Sequence, residues 1–326
     1  VLVGDIDRGG VIASVAGTHL ILPPEDRAMV TGYIINKFRG DVTLFDDGIA
    51  AISGFTGWPC LGVVPWLKHA ARLPAEDSVT LERLTKGEAR ALKVAVPVTP
   101  RIANFDDFDA LGAEPAVELV FVRPGERIPA DAGLVVLAGS KATISDMMAL
   151  RAEGWDRDIA AHARRGGRVI GICGGYQMLG RAIRDPAGIE GDTSVVEGLG
   201  LLDVETVMAP EKRLANSRAR SVAYDAPLEG YEIHLGRTSG ADHGRPYVEI
   251  EGRPDGAMSA DGRIAGTYLH RLFDSDPFRA ALLADFGIAG GAADYRASVD
   301  RALDGVAAEI EAHLDRAWLD RLFGGR

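Results

Sequence analysis

The stretch "RVIGICGGYQMLG", residues 168–180, sets a lone cysteine between an apolar run and a pair of glycines. Gly171-Ile172-Cys173-Gly174-Gly175 has the G-x-nucleophile-x-G form of a turn that joins a strand to a helix. Small neighbours allow the sharp turn, which presents the sulfur at the helix start, where backbone N–H groups stabilise negative charge. A thiolate so placed attacks acyl groups, and the N–H of Gly174 stands where the resulting oxyanion would form. Free cysteines are often simply buried. Glycines on both sides weigh against that reading here.

A thiol nucleophile needs a base. "RIAGTYLHRLFD" (263–274) ends a strand in His270, and "YEIH" (231–234) ends another in His234, so both imidazoles are candidates. "LVVLAGSKAT" (134–143) is a strand followed by Gly139, Ser140 and Lys141 opening a helix, a turn whose N–H groups could complete an oxyanion hole. The chain opens on "VLVGDIDRGG", an apolar strand ending in Asp5 and Asp7. That element is similar to the strand end that holds Mg²⁺ in P-loop nucleotide binders. "IINKF" (34–38) offers Asn36 to a nucleobase. No G-x-x-x-x-G-K-[ST] occurs anywhere in the chain. With no Met at the start and a strand already under way, the expectation is a fragment whose phosphate loop lies upstream.

The elements that must position these residues follow a βα rhythm. After the strand at 1–3, residues 10–22 read as a helix, 29–38 as a strand, 41–57 as a helix and 60–66 as a strand. Near-continuous apolar strands between amphipathic helices predict a parallel sheet covered on both faces. The polar stretch 73–90 reads as a linker. A second α/β rhythm begins at "LKVAVPVT" (92–99), with strands at 116–122, 133–139 and 168–173 and a helix over 144–165. Beyond 200 the pattern changes to shorter strands with turn residues, and 276–326 reads as helical.

A length of 326 residues suits two domains, and 47% apolar residues suffice for real cores. The 36 basic and 47 acidic side chains give a net charge of −11, which disfavours nucleic acid or an anionic membrane as a partner through the overall field. No apolar run approaches the roughly 18–20 residues of a membrane span. Cys60 and Cys173 are the only cysteines, so a disulfide framework is excluded and a reduced, cytoplasmic setting is expected.

Together these segments resemble the cobyric acid synthase family, the glutamine-dependent amidases of cobalamin biosynthesis, over nearly the whole chain. "DIDRGG", "INKFRGD", "GVVPW", "PRIANFDDFDAL", "GSKATISD", "GICGGYQMLG", "YEIHLG" and "GTYLH" occur in that order. The cysteine turn is shared by triad-type glutamine amidotransferases in general, whereas "INKFRGD" and "PRIANFDDFDAL" point to this family. The resemblance implies an α/β protein in two parts. A truncated P-loop, dethiobiotin-synthetase-like parallel-sheet domain would occupy residues 1–72, with a linker at 73–91. A class I glutamine amidotransferase domain of flavodoxin-like α/β fold would span 92–275, followed by a helical tail at 276–326.

By the same resemblance Cys173 attacks the carboxamide of L-glutamine, His270 is its acid/base partner, and Gln177 holds the substrate. Gly139, Ser140 and Gly174 would line the glutamine and oxyanion site. ATP and Mg²⁺, the latter at Asp5 or Asp7 with Asn36 on the nucleotide, would phosphorylate a carboxylate of adenosylcobyrinic acid a,c-diamide. Ammonia would then displace phosphate at carboxylates b, d, e and g in turn. Neither nucleic acid nor membrane is an expected partner. Many class I glutaminases follow the catalytic His with x-Glu, but His270-Arg271-Leu272 offers no acid. Another acid must orient His270, with Glu232 as candidate. Arg271 also stands where relatives usually have Gly. The alternatives are the synthase that amidates carboxylates a and c, and a nucleotide-dependent binding module with an inactive glutaminase.

Overall fold

The computed structural model describes residues 1–73, 91–211, 213–288 and 294–323, so most of the expected linker lies outside the described residues. The chain forms two compact units. One comprises Val1–Leu73 with Ala297–Arg326, the other Pro74–Arg296. The helical tail expected at 276–326 is therefore divided between them.

In the first unit, β1 (Leu2–Asp5), α1 (Val11–Ile21), α2 (Pro24–Met29), β2 (Tyr33–Phe38), α3 (Asp46–Thr56) and β3 (Cys60–Pro65) follow in chain order. The three strands form a parallel sheet in the order β1-β2-β3. Tyr33 and Ile35 of the central strand are fully buried, in one cluster with Val11 and Val15 of α1 and Ile52 of α3. The helix expected over 41–57 opens as a 3₁₀ turn, because the Asp41 carboxylate accepts from the Thr43 N–H at 3.0 Å. It ends at Gly57, which takes up left-handed backbone (φ 70°). At the edge of β3, Gly62 pairs with Leu314 in an antiparallel bridge, and a Cβ at Gly62 would stand 2.2 Å from the His313 carbonyl oxygen. At the carboxyl ends of β1 and β2, Asp5 lies opposite Asn36. Open parallel sheets bind their ligands at such an edge.

The second unit runs β4 (Leu92–Pro97), β5 (Ile102–Ala103), α4 (Asp109–Gly112), β6 (Val117–Val122), β7 (Leu134–Leu137), β8 (Gly139–Ser140), α5 (Thr143–Ala152), α6 (Trp155–Arg164), β9 (Arg168–Ile172) and α7 (Gly174–Leu179). Short strands follow: β10 (Ala182–Arg184), β11 (Val195–Glu197), β12 (Val204–Val207), β13 (Arg213–Ser221), β14 (Pro227–His234), β15 (Arg237–Gly240), β16 (Val248–Ile250), β17 (Arg253–Asp255) and β18 (Ala257–Met258). Then come β19 (Ile264–Thr267), β20 (Leu269–His270) and α8 (Asp276–Ala284).

The central sheet has six strands in the order β18-β19-β9-β7-β4-β6, all parallel except β18. Alternate residues of β4 enter opposite cores: Leu92, Val94 and Val96 join Phe108 and Phe121, whereas Ala95 joins Trp155 and Ile159. Both faces of this sheet are covered, whereas in the first unit, for which two covered faces were expected, Val3 of β1 is 58% exposed. The helix expected over 144–165 is two helices, broken where Gly154 takes up left-handed backbone (φ 75°).

A crossing between two sheets sets the position of His270. β19 lies in the parallel sheet beside β9, but β20, two residues further on, pairs antiparallel with β14 in a five-stranded sheet, with His270 opposite Tyr231. The chain changes sheets between Thr267 and Leu269, and this carries His270 to the carboxyl end of the parallel sheet. Among the described residues no helix is long and apolar enough to cross a membrane.

Candidate active site

Cys173 links β9 to α7 with φ 53° and ψ −109°, a strained conformation for a residue with a Cβ. The surroundings enforce it. Its N–H donates to the Thr267 carbonyl at 2.8 Å, and a Cβ at Gly175 would stand 2.0 Å from the Leu137 carbonyl oxygen. The glycines flanking Cys173 are therefore set by close backbone approach. The thiol donates to the Ile233 carbonyl at 3.3 Å.

His270 is 1% exposed. It adjoins Cys173 across Gly139, where an added Cβ would lie 3.0 Å from His270 Cε1 and 3.8 Å from Cys173 Cβ. The Nδ1–H donates to Asp107 Oδ2 at 2.7 Å, while Nε2 is buried with no hydrogen-bond partner among the described residues. Burial opposes charge on the ring, but the Asp107 carboxylate outweighs it, with help from Cys173, and the imidazole pKa is raised to about 10.

The acid that orients His270 is thus Asp107 and not Glu232, which corrects the sequence-based expectation. Asp107 is fully buried in a 3₁₀ turn (Phe105–Phe108), and its Oδ1 accepts the Arg271 N–H at 2.6 Å. That bond holds Arg271 in left-handed backbone (φ 63°), the conformation that glycine adopts most cheaply. Glu232 instead bonds Arg213 at 2.9 Å and Arg253 at 2.8 Å. Burial pushes its carboxyl up, but His234 and the two arginines prevail and hold it at about 2. The other candidate base, His234, stacks on Tyr268 at 3.7 Å with its Nε2 3.9 Å from Glu232.

The remaining expected residues of this unit meet at the same place. A Cβ on Gly174 would lie 3.0 Å from Ser140 N. Lys141 N donates to Arg101 O at 2.9 Å, so the next residue pair of β5 and β8, Ile102–Ser140, is the non-bonded one. The Ser140 N–H consequently points away from β5, and Gly174, first in its helix, has an N–H that the helix leaves free. Asp146 anchors this turn, accepting from Thr99 Oγ1, Arg101 N and Ser140 Oγ at 2.8, 2.9 and 2.6 Å. Gln177 is buried; its Nε2 donates to Leu235 O at 2.9 Å and the Tyr268 hydroxyl at 3.1 Å, and its Oε1 accepts from Thr143 at 3.0 Å.

Asp5, Asp7 and Asn36 belong to the first unit. Lys37 Nζ bonds Asp5 at 2.8 Å and holds its carboxyl below the ordinary range; Arg39 bonds Asp7 at 2.7 Å with the same effect. The Arg39 guanidinium also lies 3.9 Å over the Trp66 ring. Asn36 Oδ1 accepts from the Lys37 N–H at 2.9 Å. Two carboxylates at a strand end fit Mg²⁺, which takes few protein ligands and fills its octahedron with water and phosphate. Among the described residues no group of three or more His, Cys, Asp or Glu gathers to hold a metal by itself.

Asp107, Asp146, Tyr231, Tyr268, Lys37 and Arg39 were not singled out from sequence. All six lie inside family motifs, and Asp107 had the plainest signal: "PRIANFDDFDAL" is a run of acids that no role explained.

Known proteins resemble the chain over both units. Residues 93–278 match the CobB/CobQ-like glutamine amidotransferase domain, and residues 5–81 match the CobQ/CobB/MinD/ParA nucleotide binding domain. Cobyric acid synthase of Sinorhizobium sp is 73% identical over 99% of this chain and 66% of the relative. The enzymes of that name from Sinorhizobium fredii and Rhizobium meliloti are 71% and 70% identical, each over 99% of this chain and 67% of the relative. The chain thus spans about two thirds of the length of these relatives. Among solved structures, PurLQS from Thermotoga maritima aligns at 20% identity and a TM-score of 0.43, over 65% of this chain and 99% of that one. The chain belongs to the CobB/CobQ-like glutamine amidotransferases, and within them to the cobyric acid synthase family.

Proposed function

We propose that the second unit hydrolyses L-glutamine and that the protein it belongs to uses the ammonia to amidate carboxylates b, d, e and g of adenosylcobyrinic acid a,c-diamide. The observation that carries the reading is Cys173, strained at φ 53° beside an imidazole whose far nitrogen is bonded to a buried aspartate at 2.7 Å. Cys173 passes its thiol proton to His270 Nε2 as the sulfur attacks the carboxamide carbon, and the N–H groups of Gly174 and Ser140 receive the oxyanion. His270 Nε2 gives its proton to the departing nitrogen, so ammonia leaves and a thioester remains. Water, deprotonated by the same nitrogen, then releases glutamate and restores the thiol. Asp107 keeps the ring in the tautomer that these transfers need.

Gln177 has both N–H groups engaged and one Oε1 contact made, which leaves a lone pair of Oε1 to the substrate. A lone pair accepts, so it suits the α-ammonium of glutamine. In the first unit, Asp5 or Asp7 would hold Mg²⁺ and Asn36 the nucleobase. ATP would supply the phosphoryl group that turns an unreactive carboxylate into an acyl phosphate. Two free cysteines support a reduced, cytoplasmic setting.

Glutamate release by the wild-type chain and by Cys173→Ala is the test, together with ammonia-driven amidation in the full-length enzyme. Cys173→Ala should abolish glutamine use and spare ammonia use. Loss of both without unfolding would sink the proposed separation of the two chemistries.

A further inference from the structure

Two aromatic–imidazole stacks flank Cys173, built from the same two chain segments. Tyr231 of β14 lies face-on against His270, with centroids 4.9 Å apart and planes at 11°. Three residues further along β14, His234 lies face-on against Tyr268 at 3.7 Å and 16°. The first stack covers the face of the candidate acid/base. The second has no assigned task.

Its surroundings supply one. The residues on either side of His234 present their carbonyls to the site: Ile233 O receives the Cys173 thiol at 3.3 Å, and Leu235 O receives Gln177 Nε2 at 2.9 Å. The Tyr268 hydroxyl takes the second Gln177 N–H at 3.1 Å and is itself held by the Thr238 hydroxyl at 2.6 Å. A carbonyl can only accept, so Leu235 fixes which end of the Gln177 amide is nitrogen. Tyr268 then fixes the rotation of that nitrogen, and the stacked ring of His234 fixes Tyr268.

We infer that Tyr268 and His234 are positioning residues for glutamine: they lock the Gln177 carboxamide so that the free lone pair of Oε1 faces the substrate. This rests on the reading of Gln177 as the glutamine-binding residue. Neither side chain takes part in bond making. Removing the phenol therefore weakens substrate binding and leaves the chemical steps alone.

The experiment is steady-state glutamine hydrolysis by the chain, paired with labelling of Cys173 by 6-diazo-5-oxo-L-norleucine, a glutamine-shaped electrophile, and by iodoacetamide, which needs no glutamine site. Tyr268→Phe keeps the stack and loses one hydrogen bond. It should raise KM for glutamine about fivefold, the effect of one such bond, with kcat within about twofold and iodoacetamide labelling unchanged. His234→Ala should do the same, and His234→Phe, which keeps a flat ring on Tyr268, should restore most of the loss. In a Gln177→Ala background Tyr268→Phe should add nothing, because the two act as one unit.

An unchanged KM in Tyr268→Phe overturns the inference, as does additivity with Gln177→Ala. His234→Phe as impaired as His234→Ala would mean that the imidazole nitrogens, one of them 3.9 Å from Glu232, carry the effect and not the stacked ring, which also overturns it. A wild-type chain that neither hydrolyses glutamine nor takes up the glutamine-shaped label, while iodoacetamide still reacts, would instead sink the glutaminase reading itself.

Discussion

Both units gather charged groups at the carboxyl ends of a parallel sheet, and they do so under opposite physical conditions. In the second unit Asp107 and His270 are at most 1% exposed, and each bonds a partner fixed by a different element. In the first unit Lys37 and Arg39, which pair with Asp5 and Asp7, have side chains 44% and 61% exposed. Buried pairs are rigid and costly to break, whereas exposed ones contribute little and exchange partners easily. The first arrangement suits a reaction that needs fixed proton positions. The second suits a polyanionic ligand that exchanges the ion pairs of the free site for its own.

The comparison can be broken most directly at the buried pair. Asp107→Asn should lower glutamine hydrolysis about 100-fold or more, the usual worth of general acid–base catalysis. Glu232→Gln should keep hydrolysis within a few fold, provided the fold tolerates loss of its arginine partners. The reverse ranking would restore Glu232 as the orienting acid.

The same pair carries a pH signature. The His270 pKa is raised from its ordinary 6.5 to about 10, so the fold favours the imidazolium. That contribution to stability is complete below pH 6.5 and is lost as pH rises through 10. Thermal melts should fall across that window in the wild type and fall less in Asp107→Asn. Equal slopes would mean that Asp107 does not hold the charge.

A smaller effect is expected beside it. Burial pushes the Asp274 carboxyl up to about 7 from an ordinary 3.8, with Asp107 and Asp106 adding to it and Arg271 and Arg279 opposing. A raised acid prefers to be neutral, so its burial costs nothing below pH 3.8 and most above pH 7. Asp274→Asn should melt about 2–4 °C higher at pH 8, the shift that about 1 kcal/mol gives in a unit of this size. At pH 4 it should be no different.

The exposed pairs should matter least to stability. Asp5→Asn and Asp7→Asn should each shift the melting temperature by less than about 2 °C, consistent with surface ion pairs. In the full-length enzyme the same changes should reduce ammonia-driven amidation, and wild-type rates in both would exclude them as Mg²⁺ ligands. Calorimetry of the 326-residue chain with Mg·ATP should detect no micromolar binding, because its sequence contains no G-x-x-x-x-G-K-[ST] to cradle the phosphates. Micromolar binding would mean that the nucleotide site lies elsewhere.

Local signals made much of this legible. The apolar runs at 92–97 and 168–172 are strands because both faces of a parallel sheet are covered. The glycines around Cys173 announced a sharp turn, since only residues without a Cβ allow backbone to approach as closely as Gly175 does to Leu137. The two helices within 144–165 read as one in sequence because helical periodicity continues across Gly154, and one left-handed residue breaks the axis without disturbing the pattern. Family motifs placed Cys173, Gln177 and His270 without any geometry.

The partner of His270 was not legible. Asp107 lies 163 residues away in sequence and reaches the imidazole only because β20 leaves one sheet for another. Glu232 is the more natural candidate along the chain, standing on a strand that ends near the site. Alternation along β14 puts Tyr231 against His270 and turns Glu232 to the opposite face, onto Arg213 and Arg253. The stacking of His234 on Tyr268 has the same origin: two short motifs that are ordinary by themselves meet across neighbouring segments. Sequence by itself determined where Cys173, the proposed nucleophile, sits, the turn that strains it and the sheets that carry it, because each depends on residues close in the chain. Which acid orients the imidazole, and which side chains fix Gln177, was decided by tertiary structure alone, because those contacts exist only once distant strands are placed side by side.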